Sequence, residues 1–486
     1  MSRPLFVGYA ASLADEAVSP DGRLRDDYAA LGPALERLGI AGLSEAATVM
    51  AGERDARGVT VASWSDGRQT VRTLPLDPVP RLVPAREWSR VAAGVEQRHR
   101  ALNAFLADAY RAAGRRRGDV DRAPELVRAG VVPEWAVAHS PARNPDAVGQ
   151  AWPGQPRASI AAVDVLRTPA GDWVAAADHL CVPAGLGFAL ANRDSARAAL
   201  PDLAGSPPAD PWDAVKVLRD GLAAAAPPAC TGTPRIAVLS GGESDNAWFE
   251  HRFLADALGV PLAGAADLWP RLDGGLEVSV GGVRHPVDVL YRRFDDGMLG
   301  AIRAPTGQSL DMVLTEAVRS GRLGLANVPG NGLADDTATF AWVPEMIRFY
   351  LGEEPLLRSV RTWVLADEAQ WAQVRDRLHE LVVTPVAGYG GRGSIVGPSC
   401  SAAELAALQA EVAAAPYRFV VQEPVECTTA PTLVDGALQP RRVDLRVFSV
   451  AGPGGVARAL RAPLTRVAPA DRPGAGTGTK DTWLLG

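Results

Sequence analysis

The sequence predicts an α+β protein, and three stretches carry this prediction. Residues 87–111 place apolar side chains such as Val91 and Val95 at helical spacing, which indicates a long amphipathic helix. Residues 235–258 contain a buried-type strand, a glycine turn and a helix, which is the ordinary α/β unit. Residues 381–396 contain two short strands joined by a glycine-rich turn. A chain of 486 residues is long enough for two or three packed units.

The first unit is expected to span residues 1–205 and to mix helices with strands. Residues 59–64 alternate like a strand and precede the long helix. Residues 158–166 and 173–177 have the composition of two further strands, and the turn-forming residues 169–172 separate them. This pattern predicts an antiparallel hairpin.

Three more segments complete the predicted organisation. Residues 206–234 are rich in proline and alanine, and we interpret them as a linker. Residues 235–335 follow strands with loops and helices, an arrangement that places ligands at the carboxyl ends of the strands. Residues 336–486 contain the glycine-rich hairpin, a helix over 402–415 and several strands, and they include a glycine-dense tail.

The composition is typical of a globular protein and argues against two classes of partner. Hydrophobic residues make up 47% of the chain and charged residues 22%. The net charge is −6 and no face is obviously basic, so we do not expect nucleic-acid binding. We find no apolar run of membrane-spanning length and no signal peptide, and we therefore expect a cytoplasmic protein without a membrane partner. The scattered cysteines fit reduced, structural thiols.

The glycine-rich turn has the composition of a loop that covers phosphates. Its glycines are Gly388, Gly390, Gly391 and Gly393. Their backbone N–H groups are unobstructed, and Arg392 lies among them. A tight hairpin kept as scaffold is the alternative interpretation. Such a loop normally works with a positive side chain nearby, but Thr384 stands at the end of the first strand.

A series of short motifs runs in order along almost the whole chain. They are Glu87-Trp88, Gln97-Arg98, EHRFLA from residue 250, YRRFDD from 291, IRFYLGEEP from 347, GYGGRG from 388, VVQEPV from 420, VDLRVF from 443, LTRVA from 464 and KDTWLL from 480. The series resembles the circularly permuted ATP-grasp proteins, relatives of glutathione synthetase-like carboxylate–amine ligases. The resemblance implies an ATP-grasp-like fold in permuted order, with an α/β pre-ATP-grasp unit at 235–335 and the metal-site strands within 1–205.

The resemblance also implies a chemistry and a set of site residues. ATP and Mg²⁺ would activate a small-molecule carboxylate or peptide as an acyl phosphate, and an amine would then attack it. The implied cofactor-binding residues are Gly388, Gly390, Gly391, Arg392, Gly393, Gln422, Glu423 and Val425. The implied catalytic residues are Arg446, Arg466 and Lys480. The implied substrate-binding residues are Arg292, Arg293, Asp295, Asp296 and Asp444, and the implied metal ligands are Asp178 and His179.

Structural interpretations stay open beside these roles. Asp178 and His179 also fit a hydrogen-bonded structural pair, because no third metal ligand can be assigned from the sequence. Asp295 and Asp296 also fit pairing with the neighbouring arginines at a strand end. Asp444 and Arg446, in a strand of alternating residue types, also fit positions in the ladder of the sheet.

The chain departs from the family pattern at the positions that would handle ATP. Thr337 and Thr384 stand where the family has lysines. Ala177 and His179 stand where the metal strand has a carboxylate and an amide, and Cys181 stands at the basic position that follows. Phosphoryl transfer needs cationic groups and Mg²⁺ where negative charge builds up. All of these changes would therefore affect the binding of the same ligand, Mg-ATP.

Compositional drift does not explain the threonines. Lys216 and Lys480 are the only lysines among 50 basic residues, so drift towards arginine would have kept the charge.

Three functions follow as hypotheses. The first is a non-catalytic homologue that binds a small molecule, a peptide or a partner ligase subunit. The second is a divergent but active amide-forming ligase, and the third is an enzyme on this fold that does not use ATP.

Overall fold

The computed structural model describes most of the chain. The described residues are 5–6, 8–12, 14–65, 68–111, 123–152, 154–201, 203, 209–386, 393–468 and 478–486. The predictions for Gly388, Gly390, Gly391 and Arg392 lie outside the described residues. Within the described ranges, we find no helix that is both long and apolar enough to cross a bilayer.

The first segment supplies three strands of a central sheet and the helices that flank them. Its elements are α1 (Gly32–Ala56), β1 (Thr60–Ser65), β2 (Arg68–Thr73), β3 (Leu76–Val83), α2 (Ala85–Ala109), α3 (Glu125–Arg128), α4 (Glu134–Ala138), β4 (Ile160–Arg167), β5 (Trp173–His179) and α5 (Leu186–Ala199). Helix α2 confirms the predicted long helix and buries Val91 and Val95. Strands β4 and β5 confirm the predicted hairpin, with Val163 opposite Asp178.

The middle segment is a parallel α/β unit. Its elements are α6 (Asp213–Ala223), β6 (Ile236–Leu239), α7 (Trp248–Leu258), β7 (Leu262–Ala263), β8 (Leu268–Pro270), β9 (Leu276–Val280), β10 (Val283–Val287), β11 (Val289–Arg292), α8 (Leu310–Arg319) and β12 (Gly324–Ala326). Four of these strands form a parallel sheet in the order β12, β11, β6, β7, which confirms the predicted α/β pattern. The carboxyl end of β11 carries Arg292 and leads into Arg293.

Helix α6 lies within the segment that the sequence suggests is a linker. Leu218 and Leu222 of this helix are fully buried. A Cβ atom added to Gly221 would lie 1.7 Å from Val450 Cγ1, so the helix packs directly on the neighbouring strand. This part of residues 206–234 therefore belongs to the packed core.

The last segment holds the remaining elements of two sheets. They are α9 (Gly332–Asp335), α10 (Thr337–Phe340), α11 (Val343–Leu351), β13 (Arg358–Ser359), β14 (Thr362–Val364), α12 (Glu368–Val374), β15 (Val382–Pro385), β16 (Ile395–Val396), α13 (Ala402–Ala414), β17 (Phe419–Gln422), β18 (Thr429–Val434), β19 (Ala437–Ala451), β20 (Ala457–Ala459), β21 (Leu464–Ala468) and β22 (Gly478–Leu484). Strands β15 and β16 pair antiparallel, which confirms the predicted glycine-rich hairpin on either side of its turn.

The central sheet joins both ends of the chain. Its strands run in the order β13, β5, β4, β19, β21, β22, β3, and β18 and β20 also pair with β19. Strand β22, near the end of the chain, pairs in parallel with β3. Val163 and Val447 pack with Val91 and Val95 of α2, while Phe448 belongs to a second core that includes α5. Helices therefore cover part of each face of this sheet.

A separate antiparallel sheet contains the glycine-rich hairpin, and we call it the lid sheet. It consists of β14, β17, β15 and β16. Trp363, Val383 and Val421 pack in a core of their own with helices α12 and α13. The alternating residues Val364 and Val420 instead pack with Ala338 of α10. The lid sheet therefore turns one face towards the rest of the molecule.

Candidate functional site

Five polar side chains gather on one face of the central sheet, and we call them the arginine–aspartate cluster. Its members are Asp164 of β4, His179 of β5, Asp444 and Arg446 of β19, and Arg466 of β21. Asp164 lies opposite Arg446 in the β-ladder, and Asp444 lies opposite Arg466. Side chains of directly paired residues leave the same face of a sheet, so the register of β4, β19 and β21 brings four of these side chains together. His179 pairs with Ala162, two residues before Asp164, and therefore leaves the same face.

Two guanidinium groups hold the Asp164 carboxylate. Arg446 donates from Nε to Oδ1 at 2.6 Å and from Nη2 to Oδ2 at 2.8 Å, which is a bidentate pair. Arg466 Nη2 donates to the same Oδ2 at 2.9 Å. Arg466 also forms a bidentate pair with Asp444, at 2.8 and 3.0 Å. The carboxylate of Asp164 is thus shared between two cations.

The cluster is electrically balanced. Burial opposes ionisation of Asp164, but the charges of Arg446 and Arg466 hold the pKa of Asp164 well below its usual range. His179 Nε2 lies 3.0 Å from Asp164 Oδ2. Burial and the positive charge of Arg446 lower the pKa of His179, so this histidine is neutral near pH 7. The negative charges of the two carboxylates therefore balance the positive charges of the two guanidinium groups.

The proposed pair of metal ligands is divided between the two faces of the sheet. Asp178 and His179 are neighbours on β5, so their side chains point in opposite directions. Asp178 Oδ1 accepts from Arg98 Nε at 2.8 Å, in an ion pair buried against α2. The prediction of a shared Asp178–His179 metal site is therefore wrong. Within the described ranges, we find no group of three or more side chains of the metal-binding types that is placed to hold an ion.

Lys480 does not join the other two predicted catalytic residues. It pairs across the sheet with Thr465, the neighbour of Arg466, so its side chain leaves the opposite face. Its Nζ forms an ion pair with Asp77 and donates to Pro431 O at 2.7 Å. Lys480 is almost completely buried. This lysine connects β22 to its neighbours, and the side chain does not reach the cluster.

The arginines of the YRRFDD motif are buried and paired. Arg292 Nη1 lies 2.7 Å from Asp296 Oδ1, and Asp296 also accepts from the backbone of Gly330. Arg293 Nη2 lies 2.7 Å from Glu250 Oε2, with both side chains fully buried. Asp295 caps a short turn by accepting from Gly297 N at 2.9 Å. These contacts favour the structural interpretation of the motif, because each guanidinium group forms a buried ion pair within the protein. Arg292 Nη2 and Arg293 Nε have no hydrogen-bond partner among the described residues.

Glu250 links the α/β unit to the arginine–aspartate cluster. Its Oε1 accepts from Gly185 N at 2.7 Å and Gly187 N at 2.9 Å, just where α5 begins. Arg446 Nη1 donates to Ala184 O at 2.9 Å in the same loop. The loop at residues 183–187 is thereby fixed between Glu250 on one side and Arg446 on the other.

Thr337 and Thr384, the positions where the resemblance implies lysines, lie close to each other. Thr337 Oγ1 is 3.5 Å from Pro385 O, and Pro385 directly follows Thr384 in β15. Thr384 is buried, and its hydroxyl lies 3.0 Å from the Ser394 hydroxyl across the hairpin. The hydroxyl groups thus interact within the protein at the junction between α10 and the lid sheet. No positive charge is supplied at either position.

The resemblance implies that residues 422–425 form a linker that holds adenine, and these residues connect the two sheets. Gln422 ends β17, and its Nε2 donates to Thr362 Oγ1 at 3.1 Å. Glu423 N donates to Arg361 O at 3.1 Å. Val425 is partly buried against the core of the central sheet. Residues 422–425 therefore lead from the lid sheet towards β18, which is where the resemblance places this linker.

Comparison with known families assigns the chain. Residues 80–468 match the model of the circularly permuted ATP-grasp type 2 family. The chain belongs to this family. Its mixed helices and sheets, with a permuted order of segments, are consistent with the ATP-grasp-like fold that the motifs predict.

Named relatives extend the comparison. A putative glutamate–cysteine ligase 2-3 of Frankia alni is 40% identical over 491 residues, which cover 99% of this chain and 54% of the relative. The chain thus spans about half the length of the first curated relatives it matches. An uncharacterized Synechocystis protein is 34% identical over 438 residues, with 88% of both chains covered.

A solved structure supports the fold independently of sequence. The glutathione synthetase-like effector of Globodera pallida in its apo form aligns with a TM-score of 0.55 and 12% identity. The alignment covers 91% of this chain and 97% of the effector. At this identity, the likeness concerns the fold alone.

The arginine–aspartate cluster has a member that the sequence analysis missed. Asp164 was not among the predicted site residues, although it bonds both predicted catalytic arginines. It is the single charged residue within the apolar run of residues 158–166, and that isolation was the available signal. Glu250 begins the EHRFLA motif, but the sequence analysis assigned it no role at the site.

Among the described residues, the positions that the resemblance assigns to Mg-ATP do not fit this ligand. A magnesium site needs several oxygen ligands with excess negative charge. Here Ala177 supplies no donor, and Asp164 is already bonded to two guanidinium groups. A triphosphate needs cations, and Thr337 and Thr384 supply none.

Proposed function

We propose that this chain is a circularly permuted ATP-grasp protein that does not catalyse Mg-ATP-dependent ligation and acts as a non-catalytic binding or partner subunit. One observation carries the proposal: the Asp164 carboxylate is held by Arg446 and Arg466. A divalent cation would have to displace two guanidinium groups from this carboxylate. The ligand of such a protein would be a small carboxylate or amine, a peptide, or an active partner ligase.

Losing the charge-stabilising groups at these positions would lower the reaction rate by a large factor. Loss of one group that stabilises developing charge costs about 3 kcal/mol of transition-state stabilisation, or roughly two orders of magnitude in rate. Thr337, Thr384 and Ala177 remove three such groups. Their effects are not additive, but two losses alone would leave very little ligase activity.

A partner role has a second line of support. The Frankia relatives contain about as much chain again beside the region that matches, and their printed names describe putative glutamate–cysteine ligases. The permuted ATP-grasp region thus occurs next to further protein in those relatives. The same names favour the second candidate, an active and divergent amide-forming ligase.

Thermal unfolding with Mg-ATP at millimolar concentration tests the proposal. We expect no rise in melting temperature, because a ligand that binds only the folded state must stabilise it. The variant Ala177→Glu with Thr337→Lys and Thr384→Lys restores the family residues, and we expect Mg-ATP to raise its melting temperature. The exposed substitutions Thr70→Lys with Thr306→Lys provide a control with two added charges.

Two results would speak against the proposal. A clear rise in melting temperature for the unmodified chain with Mg-ATP, together with ADP release in the presence of amino acids, would favour the active ligase. Equal responses of the restored variant and its control would remove the argument from the threonines. Co-purification of the full chain with a second protein from its own cells would support the partner role, and a chain that is always monomeric and alone would oppose it.

A further inference from the structure

The face of β19 that carries the arginine–aspartate cluster holds one more arginine. Arg442, Asp444 and Arg446 alternate along this strand, so their side chains leave the same face of the sheet. Arg442 lies opposite Ala468 of β21, two residues from Arg466, and the two arginines are therefore diagonal neighbours. The Cα atoms of diagonal neighbours lie about 7 to 8 Å apart, a separation that long side chains can bridge. Arg442 and Arg466 can therefore reach the same ligand.

Both of these arginines keep donors that the protein does not use. Arg442 is half-buried, and no hydrogen bond or ion pair joins it to another of the described residues. Both oxygens of Asp444 are bonded to Arg466 instead. Arg466 uses Nε and Nη2 for Asp444 and Asp164. Its Nη1 bonds to none of the described residues and is open to solvent, and the side chain as a whole is 29% exposed.

The charges on this face do not balance once Arg442 is counted. Within the arginine–aspartate cluster, two carboxylates balance two guanidinium groups, and His179 is neutral. With Arg442, three guanidinium groups stand beside two carboxylates, so one positive charge is in excess. Guanidinium groups donate parallel N–H bonds to a carboxylate, which matches a single negative charge. A triphosphate carries several negative charges and would need more cations than this face supplies.

We propose that the ligand of this site is a monocarboxylate, which Arg442 and Nη1 of Arg466 receive between them. The inference rests on the proposed function, because it names the class of ligand that the binding protein takes. The bidentate pair with Asp444 positions Arg466 for this contact. An amine finds no such place, because the carboxylates of Asp164 and Asp444 are already bonded to arginines. The site therefore selects a carboxylate over an amine.

Calorimetry and thermal unfolding of the full chain test this site with N-acetylglycine, in EDTA, without nucleotide and at fixed ionic strength. N-acetylglycinamide has nearly the same shape without the charge. We expect N-acetylglycine to raise the melting temperature and the amide to leave it unchanged. Arg442→Gln should weaken N-acetylglycine binding by roughly tenfold or more, because it removes a charged donor.

The neighbouring arginine provides a matched control. Arg441 leaves the opposite face of β19, and its Nη2 donates to Gln439 Oε1 at 3.0 Å. Arg441→Gln changes the net charge by the same amount and should bind N-acetylglycine as the unmodified chain does. Arg442→Lys keeps the charge but loses the planar fork of donors, so it should weaken binding less than Arg442→Gln does.

A variant on the other strand keeps the test decisive if Arg442→Gln does not fold. Ala468→Glu places a carboxylate opposite Arg442 and should abolish binding of N-acetylglycine by pairing with that arginine. The proposal is overturned if N-acetylglycine binds no better than its amide, or if Arg441→Gln weakens binding as much as Arg442→Gln. Tighter binding of inorganic phosphate than of N-acetylglycine would also overturn it.

Failure of the proposed function would be seen separately. Stabilisation by Mg-ATP would contradict that function, but it would leave a selective effect of Arg442→Gln on carboxylate binding in place. Carboxylate binding is measured without metal or nucleotide, so the two results do not depend on each other.

Discussion

Glu250→Gln is expected to lower the free energy of unfolding by about 3 to 5 kcal/mol, because it breaks a fully buried ion pair. Glu250 Oε2 lies 2.7 Å from Arg293 Nη2, and neither side chain is exposed. Oε1 accepts from Gly185 N and Gly187 N. Every group that faces this carboxylate is a donor, so either orientation of a glutamine amide sets its NH2 group against another donor.

The same substitution should also loosen the site. When the glutamine turns its NH2 group towards Gly185 N and Gly187 N, the loop at residues 183–187 loses two of its anchors. Arg446 donates to Ala184 O within that loop. The arginine–aspartate cluster would then depend on its own ion pairs for position. We therefore expect faster amide hydrogen exchange at the start of α5 in the variant, in addition to the loss of stability.

Urea unfolding followed by circular dichroism measures the effect, and the exposed pair of Arg348 and Glu354 provides the control. Their side chains are 49% and 81% exposed. Glu354→Gln should change stability by less than about 1 kcal/mol, because exposed ion pairs contribute little. If the two glutamine variants unfold at the same urea concentration, the reasoning about Glu250 is refuted. Glu250→Leu with Arg293→Met removes both charges and should cost less than the sum of the single changes.

Three further predictions concern packing and pH. Gly221→Ala should destabilise the protein by about 1 to 3 kcal/mol in urea unfolding, because the new Cβ would lie 1.7 Å from Val450 Cγ1. Gly52→Ala is the control. A Cβ at position 52 meets no atom within 4 Å, so this substitution should stabilise the protein by about 0.5 to 1 kcal/mol. Burial lowers the pKa of His99 to about 4, below its unfolded value, so its contribution to stability is present above about pH 6.5 and is lost as the pH falls towards 4. Between pH 6.5 and pH 4, the free energy of unfolding of the His99→Gln variant should fall by about 3 kcal/mol less than that of the unmodified chain. Equal losses would contradict the lowered pKa of His99. Burial raises the pKa of Asp335 to about 8, above its unfolded value, so its contribution to stability is present at low pH and is lost as the pH rises through 8. The stability of the Asp335→Asn variant relative to the unmodified chain should therefore increase between pH 5 and pH 8. A difference in stability that does not change with pH would show that Asp335 does not titrate in this range.

Local patterns in the sequence were enough to place many of the individual elements. Helix α2, the β4–β5 hairpin and the strand–turn–helix from β6 to α7 all follow from residue periodicity and turn composition. The order of motifs also led to the correct family, which the match over residues 80–468 shows. The linker interpretation of residues 206–234 missed the packing of α6, because its contact with Val450 joins residues far apart in the chain.

The site depended on tertiary structure. The sequence predicted site roles for Arg446, Arg466 and His179, and the structure brings these three side chains together around Asp164. The sequence did not identify Asp164 as their shared partner.

The sequence also could not show that Asp178 turns away towards Arg98, or that Lys480 is committed to Asp77. Periodicity along one strand determines which residues share a face, and that much is local. The partners that each face contacts depend on the register between strands that lie hundreds of residues apart in the chain. Only the folded sheet determines that register.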